Sequence, residues 1–243
     1  MNSPIILLFD LDGVVLTQRA LEYTALVELK KNWYNWKNID KMRLIDFARI
    51  FEEMDSNNRL KALKNVFLAY KPIIPNRLKR VIFFIRFRRS HRKYEKIYEE
   101  INPELIPILI KFKNKKIISG IVSNTRGKRL TFYKKKFNLD KYFSVFLSRD
   151  NVPIRKPHPY PIILALKIIK EKHKISKINK KKVYYIGDLP SDIICAKNAN
   201  VNSIAFLSGH GTRKQLRDSE PDIILQEIKD ILKIESFKKL LCD

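Results

Sequence analysis

Two carboxylates, Asp10 and Asp12, stand two residues apart in the segment Phe9-Asp10-Leu11-Asp12-Gly13. At the end of a strand such a pair can share one cation, and one carboxylate can attack while its neighbour handles protons. Gly13 permits a sharp exit of the chain. The same pattern also suits an ordinary turn or a fragment of a calcium loop, so its meaning depends on its companions.

Three further polar clusters follow. Ser123-Asn124-Thr125 succeeds an apolar run ending at Val122 and offers a hydroxyl and backbone N–H groups to phosphate oxygens, although strands often end in such residues for turn reasons alone. Lys156 lies in Arg155-Lys156-Pro157-His158-Pro159, a cation in a proline-restricted segment just before a helix. A single cation says little in a chain with 50 Lys and Arg. Gly187-Asp188-Leu189-Pro190-Ser191-Asp192 follows the apolar Val183-Tyr184-Tyr185-Ile186 and brings a second pair of carboxylates. Asp192 has a ready explanation as a helix cap, because acidic residues favour helix N-termini. Asp188, on the exit loop before the helix, has none.

These clusters need elements to position them. Residues 5–9 read as a short, fully buried strand. The period then becomes helical. Leu44, Phe47, Ala48, Phe51 and Met54 share a face, as do Leu60, Leu63, Val66, Phe67 and Tyr70, then Leu78, Val81, Ile82 and Ile85, then Tyr94, Ile97, Tyr98 and Ile101. After Asn102-Pro103 the chain alternates, with helices expected over 104–113, 127–137, 159–172 and 192–198 and strands over 116–122, 145–147, 183–186 and 203–206. Such alternation implies an α/β fold with a parallel sheet and right-handed crossovers. The core is split, residues 1–15 joining 100–243, around an all-helical insertion over 16–99. Ligands bind beyond the carboxyl ends of such strands, and all four polar clusters fall there.

Composition limits the alternatives. Apolar residues make up 45% and charged residues 31%, with 6 Gly and 11 Pro, as in a folded globular chain. The apolar run at the N-terminus is interrupted by Asp10 and Asp12 and has no basic segment before it, and no stretch of about 20 apolar residues occurs. A soluble, cytoplasmic protein is expected. Cys195 and Cys242 are the only cysteines and form no Cys-x-x-Cys pattern, so neither a disulfide framework nor a zinc site is indicated. The net charge of +25 attracts anionic partners. Lys, Asn and Ile are abundant throughout, however, so compositional bias together with attraction of an anionic substrate accounts for the charge better than dedicated nucleic-acid binding does.

The order and placement of the clusters resemble the haloacid dehalogenase superfamily of hydrolases, in particular its phosphoglycolate phosphatase-like members with a helical cap inserted after the first motif. Asp10-Leu11-Asp12-Gly13-Val14 is similar to the first motif, Ile121-Val122-Ser123-Asn124 to the second, Lys156-Pro157 to the third, and Gly187-Asp188 with Asp192 to the fourth. The resemblance implies a Rossmann-like three-layer core and an aspartyl-phosphate mechanism. Asp10 is then the nucleophile and Asp12 the acid and base. Asp10, the Asp12 backbone carbonyl and Asp188 hold magnesium; Ser123, the Asn124 backbone and Lys156 bind phosphate; and Asp192 holds a metal-bound water or orients Lys156. The chain departs from these members at Asn200, where they usually have Gly, at Thr17, where an acidic residue often starts the cap, and over the basic segment 77–96, which matches no one subfamily.

Asp12 favours phosphoryl chemistry over dehalogenation, because a departing halide needs no general acid. A phosphosugar mutase would share every core motif. The rival from another class is nucleic-acid binding or end processing through the segment 77–96, where Arg80, Arg86, Arg88, Arg89, Arg92 and Lys93 surround Phe83, Phe84 and Phe87. The stripe Val81, Ile82 and Ile85 argues instead for packing inside the helical module, with the arginines as a solvated rim. Oligomeric state is not legible in the sequence.

Overall fold

The structure is a computed structural model and describes residues 3–17, 19–31, 71 and 74–242. Its contacts divide the chain into two compact units, Met1–Leu16 with Ile101–Asp243, and Thr17–Glu100. Among the described residues, no helix is long and apolar enough to cross a membrane.

The described part of the Thr17–Glu100 unit holds two helices, α1 (Arg19–Lys31) and α2 (Arg77–Tyr98). Tyr23 of α1 meets Tyr94 and Tyr98 of α2 at ring-centroid distances of 5.1 and 4.0 Å. Ser90 of α2 donates a 2.5 Å hydrogen bond to Glu28 of α1. The start of α2 is fixed by Asn76, whose Oδ1 accepts from the Lys79 N–H at 3.0 Å.

This unit differs from the expectation in three ways. The two stripes around 78–85 and 94–101 lie on one continuous helix that ends at Tyr98, and Ile101 instead bridges Leu16 in the other unit. The stripe Leu78, Val81, Ile82 and Ile85 faces solvent, while Phe83 and Phe87 take the buried side. The larger aromatic rings remove more apolar area from water, which decides which face turns inward. Arg80 is buried with them, its Nη1 donating to the carbonyls of Ile74 and Pro75 at 2.7 and 3.0 Å, so it is not part of a solvated rim. The stripes over 44–54 and 60–70 lie outside the described residues.

The other unit is built on six strands: β1 (Ile6–Phe9), β2 (Ile118–Val122), β3 (Val145–Leu147), β4 (Val183–Gly187), β5 (Asn202–Phe206) and β6 (Ile223–Leu225). They form one sheet of order β3-β2-β1-β4-β5-β6 in which every pairing is parallel. Side chains alternate across β1, which separates two layers of core. On one face Leu7 and Phe9 join Leu105, Ile108, Leu109 and Phe112 of α3 (Leu105–Asn114) and Leu130 and Tyr133 of α4 (Gly127–Lys136). On the other face Ile6 and Leu8 join Ile162, Ala165 and Ile169 of α5 (Tyr160–Lys172) and Cys195 and Ala196 of α6 (Pro190–Asn198). The result is the expected three-layer α/β architecture. Burial on both faces is why β1 reads as an unbroken apolar run.

Two edges of the expectation move. The strand expected from 116 begins at Ile118, because Lys116, at φ 57°, and Ile117 still close the end of α3 through hydrogen bonds to Lys113 and Phe112. The sixth strand, the helix before it, α7 (Arg213–Asp218), and the helix near the end of the chain, α8 (Glu235–Cys242), lie outside that expectation. β6 has three residues, too few for a periodicity, and pairing with β5 is what defines it.

The strand order locates the crevice. From β1 the chain builds outward through β2 and β3, then returns to the other side of β1 for β4, β5 and β6. The loops after β1 and β4 therefore diverge from adjacent strands, which is where ligands bind in open parallel sheets. Asp10 follows β1 and Asp188 follows β4.

Candidate active site

Asp10 leaves β1 with its backbone N–H bonded to the Ile186 carbonyl at 2.8 Å, so pairing with β4 fixes where its carboxylate begins. Beside it Gly13, at φ 73°, turns the chain back. A β-carbon there would lie 2.0 Å from Oδ2 of Asp188 and 2.6 Å from Nδ1 of His210, so both conformation and space require glycine.

Asp10, Asp188 and Asp192 are all buried and present carboxylate oxygens within 4.8 Å of one another. Lys156, equally buried, stands among them. Its Nζ donates to Asp192 Oδ1 at 2.5 Å and to the Tyr185 hydroxyl at 2.9 Å, and lies 3.0 Å from Asp10 Oδ1. Burial works against the lysine's charge, but Asp10 and Asp192 outweigh it and hold the ammonium well above its ordinary range. Burial raises Asp10 to about 6 against the pull of Lys156, with Asp192 and Asp12 adding to the rise. Asp192 is also raised, first by burial.

Each of the other expected residues has a definite place. Asn124 clamps the lysine's own peptide, its Oδ1 accepting from Lys156 N–H and its Nδ2 donating to the Lys156 carbonyl, both at 3.2 Å. Its side chain is thereby committed to positioning Lys156. Ser123 is buried at the end of β2, and its Oγ accepts from the Thr125 N–H at 3.2 Å. Asp192 divides its two oxygens: Oδ2 caps α6 by accepting from the Leu189 N–H at 3.1 Å, while Oδ1 receives Lys156. Asp12 stands apart from the buried group, half-buried and ion-paired with Arg129 of α4.

Three contributors escaped the sequence reading. Arg129 holds Asp12 and is steered by Thr125 Oγ1 at 3.2 Å and by the Tyr133 ring, 5.0 Å away. Tyr185 donates its hydroxyl to the Val122 carbonyl at 2.7 Å and accepts from Lys156 Nζ on the same oxygen. His210 lies against Asp188, with backbone N and Nδ1 at 2.6 and 2.8 Å from Oδ2. A histidine between two glycines was the one local signal for it. Arg129 and Tyr185 had none, being one basic residue and one aromatic among many.

The donor set fits a hard divalent cation. Three buried carboxylates against one buried ammonium leave two negative charges when all are ionised. Asp10 Oδ1 and Asp188 Oδ1 are buried without a hydrogen-bond partner. Lys156 meets Asp10 Oδ1 as an ion pair at 3.0 Å. Bare buried carboxylate oxygens are costly, and an all-oxygen site for a metal ion removes that cost. Asp192 has both oxygens engaged and supports Lys156 in place of a metal.

The sequence model of haloacid dehalogenase-like hydrolases matches residues 7–206. The chain belongs to that family. Within it, the chain is 28% identical over 144 residues to a protein designated "Putative pyrophosphatase PpaX" from Caldanaerobacter subterraneus, a stretch covering 59% of this chain and 60% of that one. It is 30% identical over 113 residues to phosphoglycolate phosphatase of Escherichia coli K12, covering 46% of this chain and 42% of that enzyme. The matches thus span about half the length of these curated relatives. A crystal structure of a predicted phosphoglycolate phosphatase from Haemophilus somnus superposes with a TM-score of 0.66 at 20% identity, covering 96% of this chain and 99% of that one. That likeness is one of fold.

Proposed function

We propose that the chain is a magnesium-dependent phosphatase that hydrolyses a small phosphorylated metabolite in the cytoplasm through an aspartyl-phosphate on Asp10. The observation that carries this reading is the pair of buried carboxylates Asp10 and Asp188, clustered at the switch point of the sheet, each with an Oδ1 that accepts no hydrogen bond among the described residues. Both named relatives act on phosphate compounds by designation, which supports the same chemistry.

A carboxylate approaching a phosphate dianion meets strong repulsion at low dielectric. Asp10, Asp188 and the Asp12 backbone carbonyl would hold magnesium, which would supply the positive charge that screens it. Asp10 attacks phosphorus as the bond to the leaving oxygen breaks, and the Asp12 carboxyl gives that oxygen a proton. Asp12 then takes a proton from the water that cleaves the acyl phosphate, restoring Asp10. The Ser123 hydroxyl, the Asn124 backbone N–H and Lys156 hold the other phosphate oxygens, each donor worth about 3 kcal/mol where charge builds up. The residues 17–100 act as the cap of this enzyme.

The test is release of p-nitrophenol from p-nitrophenyl phosphate with and without magnesium, beside an Asp10→Asn variant. Turnover that requires both the metal and Asp10 is expected. Release without either contradicts the proposal. A phosphosugar mutase would use the same core residues, and a panel of phosphorylated metabolites that includes hexose phosphates separates the two by product. The nucleic-acid reading rests on the exposed Arg88, Arg89, Arg92 and Lys93 of α2. A complex that survives about 0.2 M salt would support it, since nonspecific binding by so basic a chain weakens steeply with salt.

A further inference from the structure

Asp188 is held from one side only. Its Oδ2 receives two hydrogen bonds from a single residue, the His210 backbone N–H at 2.6 Å and the ring Nδ1 at 2.8 Å. Its Oδ1 receives none and is buried. An ionised carboxylate only accepts, so the ring nitrogen facing it carries the proton and the tautomer is fixed as Nδ1–H.

The surrounding backbone makes this arrangement rigid. The Gly211 N–H bonds the Asp188 carbonyl at 2.8 Å, drawing the 209–211 loop over the aspartate. A β-carbon at Gly209 would lie 2.2 Å from Asp188 Cβ, and one at Gly13 would lie 2.0 Å from Oδ2, so two loops close on the carboxylate at distances only glycine allows. With Oδ2 pinned, rotation of the carboxylate would break two hydrogen bonds. The orientation of the buried Oδ1 is therefore set by the same two bonds.

We infer that His210 is a positioning residue for the cation: through Asp188 Oδ2 it orients Oδ1 as a preorganised magnesium ligand. The inference rests on the magnesium reading of the site. Fixing a ligand before the metal arrives removes ordering cost from binding, and partners of this kind change metal affinity by about 10- to 100-fold when lost. A purely structural histidine would affect folding and leave the affinity of the folded protein unchanged.

Calorimetric titration of the full chain with magnesium chloride alone separates these roles without recourse to activity. Three variants are compared with the parent: His210→Leu removes the ring donor, His210→Asn keeps an N–H close to the position of Nδ1, and His210→Gln carries its amide farther along the side chain. The leucine and glutamine variants should bind magnesium about 10- to 100-fold more weakly, whereas asparagine should remain within about 3-fold of the parent. Metal-free melting identifies which variants are folded, and the asparagine–glutamine pair decides the matter if leucine unfolds the chain. Equal affinity in parent and glutamine variant, or asparagine binding as weakly as glutamine, overturns the role of His210 alone. A parent that shows no saturable magnesium binding overturns the metal site and this inference together.

Discussion

The ammonium of Lys156 lies 3.0 Å from Oδ1 of Asp10 but hydrogen-bonds elsewhere. Its directed bonds go to Asp192 and Tyr185, which leaves Asp10 under the lysine's field with its Oδ1 uncommitted. A carboxylate in that condition is screened by the lysine and still has an oxygen open to a cation or to attack. The predictions below follow from this division of labour.

Removing the lysine should expose the cost of the carboxylates. Lys156→Met leaves Asp10 and Asp192 buried without their cation, and breaking such a group from one side costs about 3–5 kcal/mol. Urea denaturation in chelator should show a loss of that size. Magnesium should recover part of it, while activity under saturating metal stays two to three powers of ten below the parent. A variant as stable as the parent would mean that the buried charges are compensated by some other group.

Stability should depend on the charge of Asp10 in a defined pH window. Its pKa rises from 3.8 to about 6 on folding, so the protonated form favours the fold. That contribution is fully present below pH 3.8 and is lost as pH rises through 6. The shift corresponds to about 3 kcal/mol of destabilisation above that window. Metal-free Asp10→Asn, which never carries the charge, should therefore be about 1–3 kcal/mol more stable than the parent near pH 7.5, the gap closing by about pH 4. Denaturation curves at both pH values check this, and a gap independent of pH would contradict it.

Gly209 admits no side chain without moving Asp188. A β-carbon there would lie 2.3 Å from Oδ2 of Asp188, against the side chain that carries the other bare oxygen. Gly209→Ala should cost about 1–3 kcal/mol through overpacking. The rise in melting temperature that magnesium gives the parent should also shrink. A normal magnesium response in this variant would show that Asp188 tolerates displacement.

Asp12 should matter in proportion to the leaving group. General acid assistance is worth about 10²- to 10⁴-fold where the leaving oxygen is strongly basic. Asp12→Asn should therefore depress kcat/KM for an alkyl phosphate by that range, and far less for p-nitrophenyl phosphate, whose leaving group departs without a proton. Arg129→Met, which removes the ion-pair partner of Asp12, should move the two substrates apart in the same sense by a smaller factor. Equal losses on both substrates would place Asp12 outside the proton-transfer step.

The core was legible because its signals are local. β1 is buried on both faces and so reads as an apolar run, and Asp10, Ser123 and Asp188 each directly follow a strand, while Lys156 lies farther along the loop after β3. Even the departure at Asn200 has a local cause: its φ is 55°, a conformation that Asn adopts more readily than most side chains. Supporting contacts were not legible, because their partners are remote in sequence. Arg129 meets Asp12 across 117 residues and His210 meets Asp188 across 22, and neither separation leaves a periodic trace. On α2 the pattern itself misled, since the helix is apolar on two sides and only the packing of Phe83 and Phe87 shows which one is inward.

The claim that Asp10 is a nucleophile is tested most directly by trapping its phosphorylated form. In Asp12→Asn, p-nitrophenyl phosphate should still load the enzyme while hydrolysis of the acyl phosphate stalls for want of a base. Rapid acid quench followed by peptide mass spectrometry should then find one phosphoryl group on the peptide that contains Asp10, dependent on magnesium and absent from Asp10→Asn. Phosphoryl transfer to another residue, or turnover by Asp10→Asn at the parent rate, would contradict the account.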